Sequence, residues 1–264
     1  MLEVKNISKT FNPGTINEKH ALTNLILSLN DGDFVTVIGG NGAGKSTLLN
    51  AVAGVWPVDG GAVMIDGMDV TGMPEYKRAK YIGRVFQDPM MGTAPNMQIE
   101  ENLALAYRRG KKRGLRWGVT AAEREFYREK LATLGLGLED RLTAKVGLLS
   151  GGQRQALTLL MASLQTPKLL LLDEHTAALD PATAQKVLEL SDRIISENKL
   201  TALMITHNMS DAIRHGNRLI MMDRGRIVLD ISGEEKKRLT KADLLARFAE
   251  KAGVQEETDS VLLS

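Results

Sequence analysis

The run Gly39-Gly40-Asn41-Gly42-Ala43-Gly44-Lys45-Ser46 fits G-x-x-x-x-G-K-[ST], the phosphate-binding pattern called Walker A, and its flanks decide how it is read. Before it lies Phe34-Val35-Thr36-Val37-Ile38, apolar and β-branched as a buried strand requires. After it, Thr47–Ala53 reads as a helix. Strand, glycine turn and helix in that order aim successive backbone N–H groups into one concavity, and the helix N-terminus adds partial positive charge. Lys45 has the reach for β- and γ-phosphates, and the Ser46 hydroxyl is a ligand for Mg²⁺. Gly39, Asn41, Gly42, Ala43, Gly44 and Thr47 complete the expected contacts. A flexible glycine turn would need neither the strand nor the helix.

The chain of 264 residues suits one large α/β domain, or a core with a lobe. A net charge of +2 gives no global field for nucleic acid, so no nucleic-acid partner is expected. The absence of cysteine excludes disulfides and thiolate metal sites and suits a reducing compartment. Met1–Lys5 lacks the basic segment and apolar core of a signal peptide. No uncharged apolar run approaches the ~18 residues of a membrane span. The longest, Gln155–Pro167, is interrupted by Thr158, Ser163 and Gln165. The expectation is a soluble cytoplasmic chain that reaches a membrane only through partners.

Outward from the glycine loop, the first third reads as strands at Leu2–Ile7, Leu22–Leu29, Phe34–Ile38, Ala62–Ile65 and Tyr81–Phe86, with turn signals at Asn30–Asp33 and Asp59–Gly61. The middle turns helical at Ile99–Tyr107 and Thr120–Leu134. The second helix opens on the capping box Thr120-Ala121-Ala122-Glu123 and stops at Gly135. Between them Arg108–Gly118 is a basic, glycine-broken loop. Strand and helix then alternate: Leu169–Asp173, an amphipathic helix Ala182–Asn198, Thr201–Thr206, and a hairpin Arg218–Asp223 and Arg226–Ile231 across Gly225. Lys241–Gly253 reads as a surface helix, followed by an acidic tail from Gln255.

Two further stretches carry chemistry. Leu169–Leu172 runs into Asp173 and Glu174, so a buried strand delivers two carboxylates to its C-terminal edge. Asp173 is placed to hold Mg²⁺ and Glu174 to polarise an attacking water as general base; the bland alternative is a core strand before an acidic turn. Leu149-Ser150-Gly151-Gly152-Gln153 opens the apolar helix Gln155–Ser163. A serine cap, exposed glycine N–H groups and the helix dipole make a second anion site, or simply a capped helix.

With these in place the chain resembles the ATP-binding subunits of ABC transporters over about residues 2–235. Leu149–Gln153 matches that family's signature motif letter for letter. The resemblance implies that Phe11 stacks on adenine and that Gln87 touches Mg²⁺ and faces the membrane partner. Ala178-Leu179-Asp180 becomes the D-loop, and His207 the switch histidine at the γ-phosphate. Implied too are an α/β P-loop NTPase core (about 1–88 and 165–235), an N-terminal antiparallel β subdomain, and a helical lobe (about 89–164) carrying the signature. Together they make a domain over 1–240, with 241–264 a surface helix and tail.

In the resembled mechanism two subunits pack head to tail, with ATP between the glycine loop of one and Ser150, Gly151, Gly152 and Gln153 of the other. ATP and Mg²⁺ are thus the expected cofactors. The expected partners are a second copy or homologue, transmembrane permease subunits and, indirectly, an extracytoplasmic substrate-binding protein. The subunit would lie on the inner face of the membrane. Import of a small solute such as an amino acid is favoured; an exporter of lipoprotein or peptide, or a non-transport ATPase, stays open. Three departures stand out. His175 occupies the family's usual proline position. The helix after the signature lacks the usual arginines beyond Gln155. Met90–Met97 is rich in methionine, suited either to an adaptable membrane-subunit contact or to lobe packing.

Overall fold

Leu169–Asp173 is apolar on both faces because both faces are covered. Leu170 and Leu172 enter one core, with Ala202 and Met204, while Leu169 and Leu171 enter a second, with Leu203 and Ile205. Alternation along a strand places successive side chains on opposite faces, so an unbroken apolar run is what a sheet between two layers demands. The computed structural model describes residues 1–111 and 118–252.

In chain order the elements are β1 (Leu2–Phe11), β2 (Lys19–Leu29), β3 (Phe34–Ile38), α1 (Lys45–Ala53), β4 (Gly60–Ile65), β5 (Met68–Asp69), α2 (Glu75–Arg78) and β6 (Ile82–Val85). There follow α3 (Ile99–Tyr107), α4 (Ala121–Ala132), a 3-10 turn (Val146–Leu148), α5 (Gly151–Ser163), β7 (Leu169–Asp173), α6 (Pro181–Glu197) and β8 (Thr201–Ile205). The last are α7 (Met209–Arg214), β9 (Arg218–Asp223), β10 (Arg226–Ser232), α8 (Gly233–Arg238) and α9 (Lys241–Ala252). An antiparallel sheet has the order β2-β1-β4-β5, and a larger one the order β10-β9-β3-β8-β7-β6. In the larger sheet only β10 runs antiparallel to its neighbour. This is the P-loop NTPase core with an N-terminal antiparallel β subdomain and a helical lobe.

The lobe is α3, α4 and α5, joined by Ile99, Leu103, Tyr127, Leu131, Leu157 and Leu160. Its expected capping box is formed: Thr120 Oγ1 accepts from the Glu123 N–H at 3.2 Å, and the Glu123 carboxylate accepts from the Thr120 N–H at 2.8 Å. Of the described cations of the basic loop, Arg108 and Arg109 turn inward and Lys111 stays exposed. Arg108 donates twice to Glu123, at 2.8 and 3.0 Å, Arg109 donates to the Ala162 carbonyl, and Lys111 sits 3.9 Å from the centre of the Tyr107 ring. Residues 112–117 and the tail from Gln255 lie outside the described residues.

Several boundaries differ from the sequence reading, with β1 running on to Phe11 and β2 starting at Lys19. The strand expected at Tyr81–Phe86 is shorter, Ile82–Val85, and α2, α7 and α8 are too short to show a helical period. The C-terminal helix is less superficial than expected. Leu244 of α9 is fully buried, in a cluster with Ile38, Met209, Ala212, Leu219 and Met221.

Candidate functional site

Because β3, β6, β7 and β8 are parallel, the loops after them leave from one edge of the sheet. That edge receives the glycine loop after β3, Gln87 after β6, Asp173 and Glu174 at the end of β7, and His207 after β8. In open α/β sheets this carboxyl edge is where ligands bind.

The glycine loop holds a conformation its sequence requires. Gly39 and Gly44 have φ of 150° and 100°. A Cβ on Gly39 would collide with the Met222 carbonyl, and one on Gly44 would stand 2.5 Å from the Ala21 carbonyl oxygen. Only glycine fits either position. Lys45, the first residue of α1, donates from Nζ to the Gly39 carbonyl at 2.6 Å and the Gly40 carbonyl at 3.2 Å. Burial pushes its pKa down, opposed by the charges of Glu174 and Asp173. Phe11, Asn41, Gly42, Ala43, Gly44, Lys45, Ser46, Thr47 and Glu174 line one cleft of about 190 Å³. Phe11 stands edge-to-face on Trp56, ring centres 5.0 Å apart. Arg78 fixes the far end of α1, its buried guanidinium donating to the Ala51 and Val52 carbonyls at 2.8 Å.

Asp173 is half-buried, and burial raises its pKa against the lowering effect of Arg84. The Arg84 guanidinium lies 3.3 Å from its carboxylate and donates to Asn50 Oδ1 at 2.8 Å. Glu174 adopts φ 42°, a left-handed backbone that non-glycine residues seldom hold without constraint. Its carboxylate lies 3.9 Å from Nδ1 of His207, and His207 is largely exposed. Gln87 is exposed just beyond β6.

The signature residues are elsewhere. Ser150 caps α5, its Oγ accepting from the Gln153 N–H at 3.3 Å, while Gln153 Oε1 accepts from the Ser150 N–H. Ser150, Gly152 and Gln153 line a groove of about 610 Å³ with Thr183, Lys186 and Arg193. No residue of the glycine loop lines it. Asp180 caps α6, and the hydrogen bonds from Thr183 hold its carboxyl below the usual range.

Sequence reasoning missed Lys19, which lines the phosphate-loop cleft, and Arg84. A charge within the otherwise apolar Ile82–Val85 was the available signal for Arg84. It also missed what replaces the arginines beyond the signature. Arg154 donates to the Val146, Gly147 and Leu149 carbonyls, tying α5 to the turn before it. Met90 and Met91 remain exposed, whereas the Asn102 side chain fastens Ala94 and Gln98 to the lobe.

A profile described as ABC transporter matches residues 22–177. The chain belongs to the ABC transporter family. This cassette is 46% identical, over 94% of its length and 98% of the relative's, to a tyrosine transport ATP-binding protein of Clostridioides difficile. It is 31% identical to the spermidine/putrescine import ATP-binding protein PotA of Haemophilus influenzae, over 98% of the cassette and 65% of that protein. Among solved structures it resembles the dimeric, post-hydrolysis ATP-binding cassette MJ0796 bound to ADP and Pi. The TM-score is 0.74 and the identity 30%, covering 88% of the cassette and 98% of that chain. The cassette binds ATP and hydrolyses it.

His175, between the acids and α6, is fully buried. Burial, reinforced by the neighbouring His215, pushes its pKa from 6.5 down to about 4. Below 6.5 the unfolded chain takes up a proton here that the folded cassette refuses, so stability falls as pH drops toward 4. The shift corresponds to about 3 kcal/mol. In urea melts the cassette should lose stability between pH 6.5 and 4, and His175→Gln should lose less. Parallel pH curves for the two would show that His175 contributes nothing to acid sensitivity.

Proposed function

We propose that Lys45, Ser46, Asp173, Glu174 and His207 hydrolyse ATP at this sheet edge, in a head-to-tail dimer that drives a membrane permease for a small amino-acid-type solute. The observation that carries it is the delivery of these groups to one edge by parallel strands. The residues suit a magnesium nucleotide. The cradle leaves no room for a Cβ at Gly39 or Gly44, and the oxygens of Ser46 and Asp173 are the donors Mg²⁺ prefers. Among the described residues no group of three or more His, Cys, Asp or Glu would hold a metal ion alone. That suits a cation held chiefly by substrate phosphates.

When bound, Mg²⁺ neutralises charge developing on the phosphates. Lys45 would leave the Gly39 and Gly40 carbonyls for phosphate oxygens. The first-turn N–H groups of α1 would receive others. Phe11 would offer a face to the base. Glu174 would take the proton of the attacking water, with His207 beside it at the γ-phosphate. Gln87 would reach toward the metal and the permease.

The groove at Ser150–Gln153 supports pairing with a second copy, because it offers a capped helix N-terminus to an anion that this chain's own glycine loop cannot place there. Asp180, which caps α6 beside the groove residue Thr183, would face that partner. Among the described residues no helix is long and apolar enough to cross a membrane, so separate permease subunits would supply the path, with the cassette on the cytoplasmic face. An extracytoplasmic binding protein would deliver the solute. The name of the 46% identical relative supports an aromatic amino acid as solute class. Chromosomal Lys45→Ala in the source organism should abolish uptake of labelled tyrosine. Unchanged tyrosine uptake by a strain whose purified cassette has lost ATPase activity would discard that solute and leave the ATPase reading in place.

A further inference from the structure

Two consecutive residues of α6 reach two different loops. Ser191, buried, donates its hydroxyl proton to the Val187 carbonyl at 2.8 Å, so its oxygen is free to accept. The group that meets it, at 3.0 Å, is Nε2 of His175, the residue directly after Glu174. With the hydroxyl donated to Val187, the pair is completed by His175 as the neutral tautomer with its proton on Nε2. Asp192, next along the helix, places Oδ2 2.6 Å from Nδ1 of His215. His215 is buried and ends α7, the helix that begins two residues after His207.

The α7 end of this chain is held from two further sides. Lys236 of α8, itself buried, donates to the Ile213, His215 and Gly216 carbonyls. Thr36 of β3 donates to the Ala212 carbonyl at 2.9 Å. The Glu174 loop, by contrast, has few restraints besides the Glu174 N–H to Ile205 carbonyl bond at 3.1 Å and the turn closed by the Ala177 N–H. Its left-handed backbone at Glu174 needs something to hold it. The His175–Ser191 bond is the buried side-chain tie at that point.

We propose that two adjacent residues of α6, through Ser191 to His175 and Asp192 to His215, clamp the loop of Glu174 to α7, the helix that follows His207, and so hold Glu174 and His207 in fixed relation. Ser191, Asp192, His175 and His215 are then positioning residues for hydrolysis. This rests on the roles given above to Glu174 and His207. Glu174 and His207 sit on separate loops after separate strands, and their 3.9 Å spacing has no direct covalent or sheet constraint beyond β7 and β8. A common anchor on adjacent residues of one rigid helix removes the freedom of the Glu174 loop and α7 to slide against each other. Misplacement of reacting groups by a fraction of an ångström to one ångström costs up to about a hundredfold in rate.

The test is steady-state ATPase kinetics of the full chain carrying Ser191→Ala, Asp192→Ala, both together, or Asp192→Asn. Rates are normalised to the fraction that binds a fluorescent ATP analogue. Each single Ala variant should lower kcat about tenfold with KM for ATP within about twofold. The double variant should be no slower than the slower single, since loss of either tie already frees the pair. Asp192→Asn keeps an acceptor for His215 and should recover most of the rate. Asp192 is partly exposed, so its substitution disturbs the core less than Ser191→Ala does.

The clamp is overturned by kcat within twofold of wild type in either single Ala variant, by a double whose loss is the product of the singles, or by Asp192→Asn as slow as Asp192→Ala. A Glu174→Gln control separates the two readings. If it hydrolyses ATP normally, the role of Glu174 fails. If it is inactive while Ser191→Ala and Asp192→Ala are unaffected, only the clamp fails.

Discussion

Glu174→Gln is expected to bind ATP and fail to turn it over. Glutamine keeps the shape of the side chain and an oxygen that can accept, but it cannot take a proton from water. General-base catalysis contributes about 10²- to 10⁴-fold, so kcat should fall by that much while nucleotide affinity holds. The neighbouring charge also changes. Glu174 adds to the upward pull on the Asp173 pKa and supports the charge of Lys45, so the neutral amide leaves Asp173 more readily ionised. ATP trapped without hydrolysis should keep two cassettes together. Gel filtration with Mg-ATP should show a dimer for the variant, and a transient one or none for wild type. Near wild-type turnover in the variant would remove Glu174 from the role of base.

Lys45→Ala and Gly151→Asp should each abolish turnover alone and restore part of it when mixed. Lys45 would bring its charge to the phosphates through charge-assisted hydrogen bonds worth about 1.5–3 kcal/mol each, so its loss weakens ATP binding some 10- to 100-fold. Aspartate at Gly151 sets a negative charge at the N-terminus of α5, where an anion is meant to sit. In a mixed dimer one site keeps an intact glycine loop from the Gly151→Asp chain and an intact signature from the Lys45→Ala chain. Random pairing makes half of the dimers mixed, so about a quarter of the sites are whole.

The mixture should recover activity toward that level, and a mixture as inactive as its parts would count against a shared site. The absence of native cysteine allows a direct check. Asn41→Cys on one chain and Ser150→Cys on another should form a disulfide between chains in the presence of ATP. A bridge found only within single chains would exclude the head-to-tail arrangement.

What could be read from the sequence was local. The glycine loop declares itself because its pattern, the strand before it and the helix after it are contiguous. Leu169–Glu174 does so because a doubly buried strand cannot hide four leucines in a row. The capping box at Thr120 and the serine cap at Ser150 are likewise signals of a few residues, and both are formed. What escaped was long-range. Arg84 meets Asp173 from 89 residues away, across the pairing of β6 with β7. Lys19 reaches the glycine loop only because β2 passes beside it. His175 was visible as a departure, but its partner depends on which face α6 turns inward. The inward turn of Arg108 and Arg109 shows the same limit. A run of like charges reads as solvated until Glu123 and the Ala162 carbonyl are brought beside it.

The burial of Leu244 bears on how the chain is made. The cluster it completes contains Leu219 and Met221 of β9, Met209 and Ala212 of α7, and Ile38 at the root of the glycine loop. A ribosome adds residues in order at about 5–20 per second, and domains fold largely as units during synthesis. This apolar face therefore stays open to chaperones while the rest of the sheet can already pair. It closes only once residue 244 has emerged. A message cut short before α9 would leave the nascent cassette with that face uncovered, marking it for degradation although every residue of the phosphate loop had been translated.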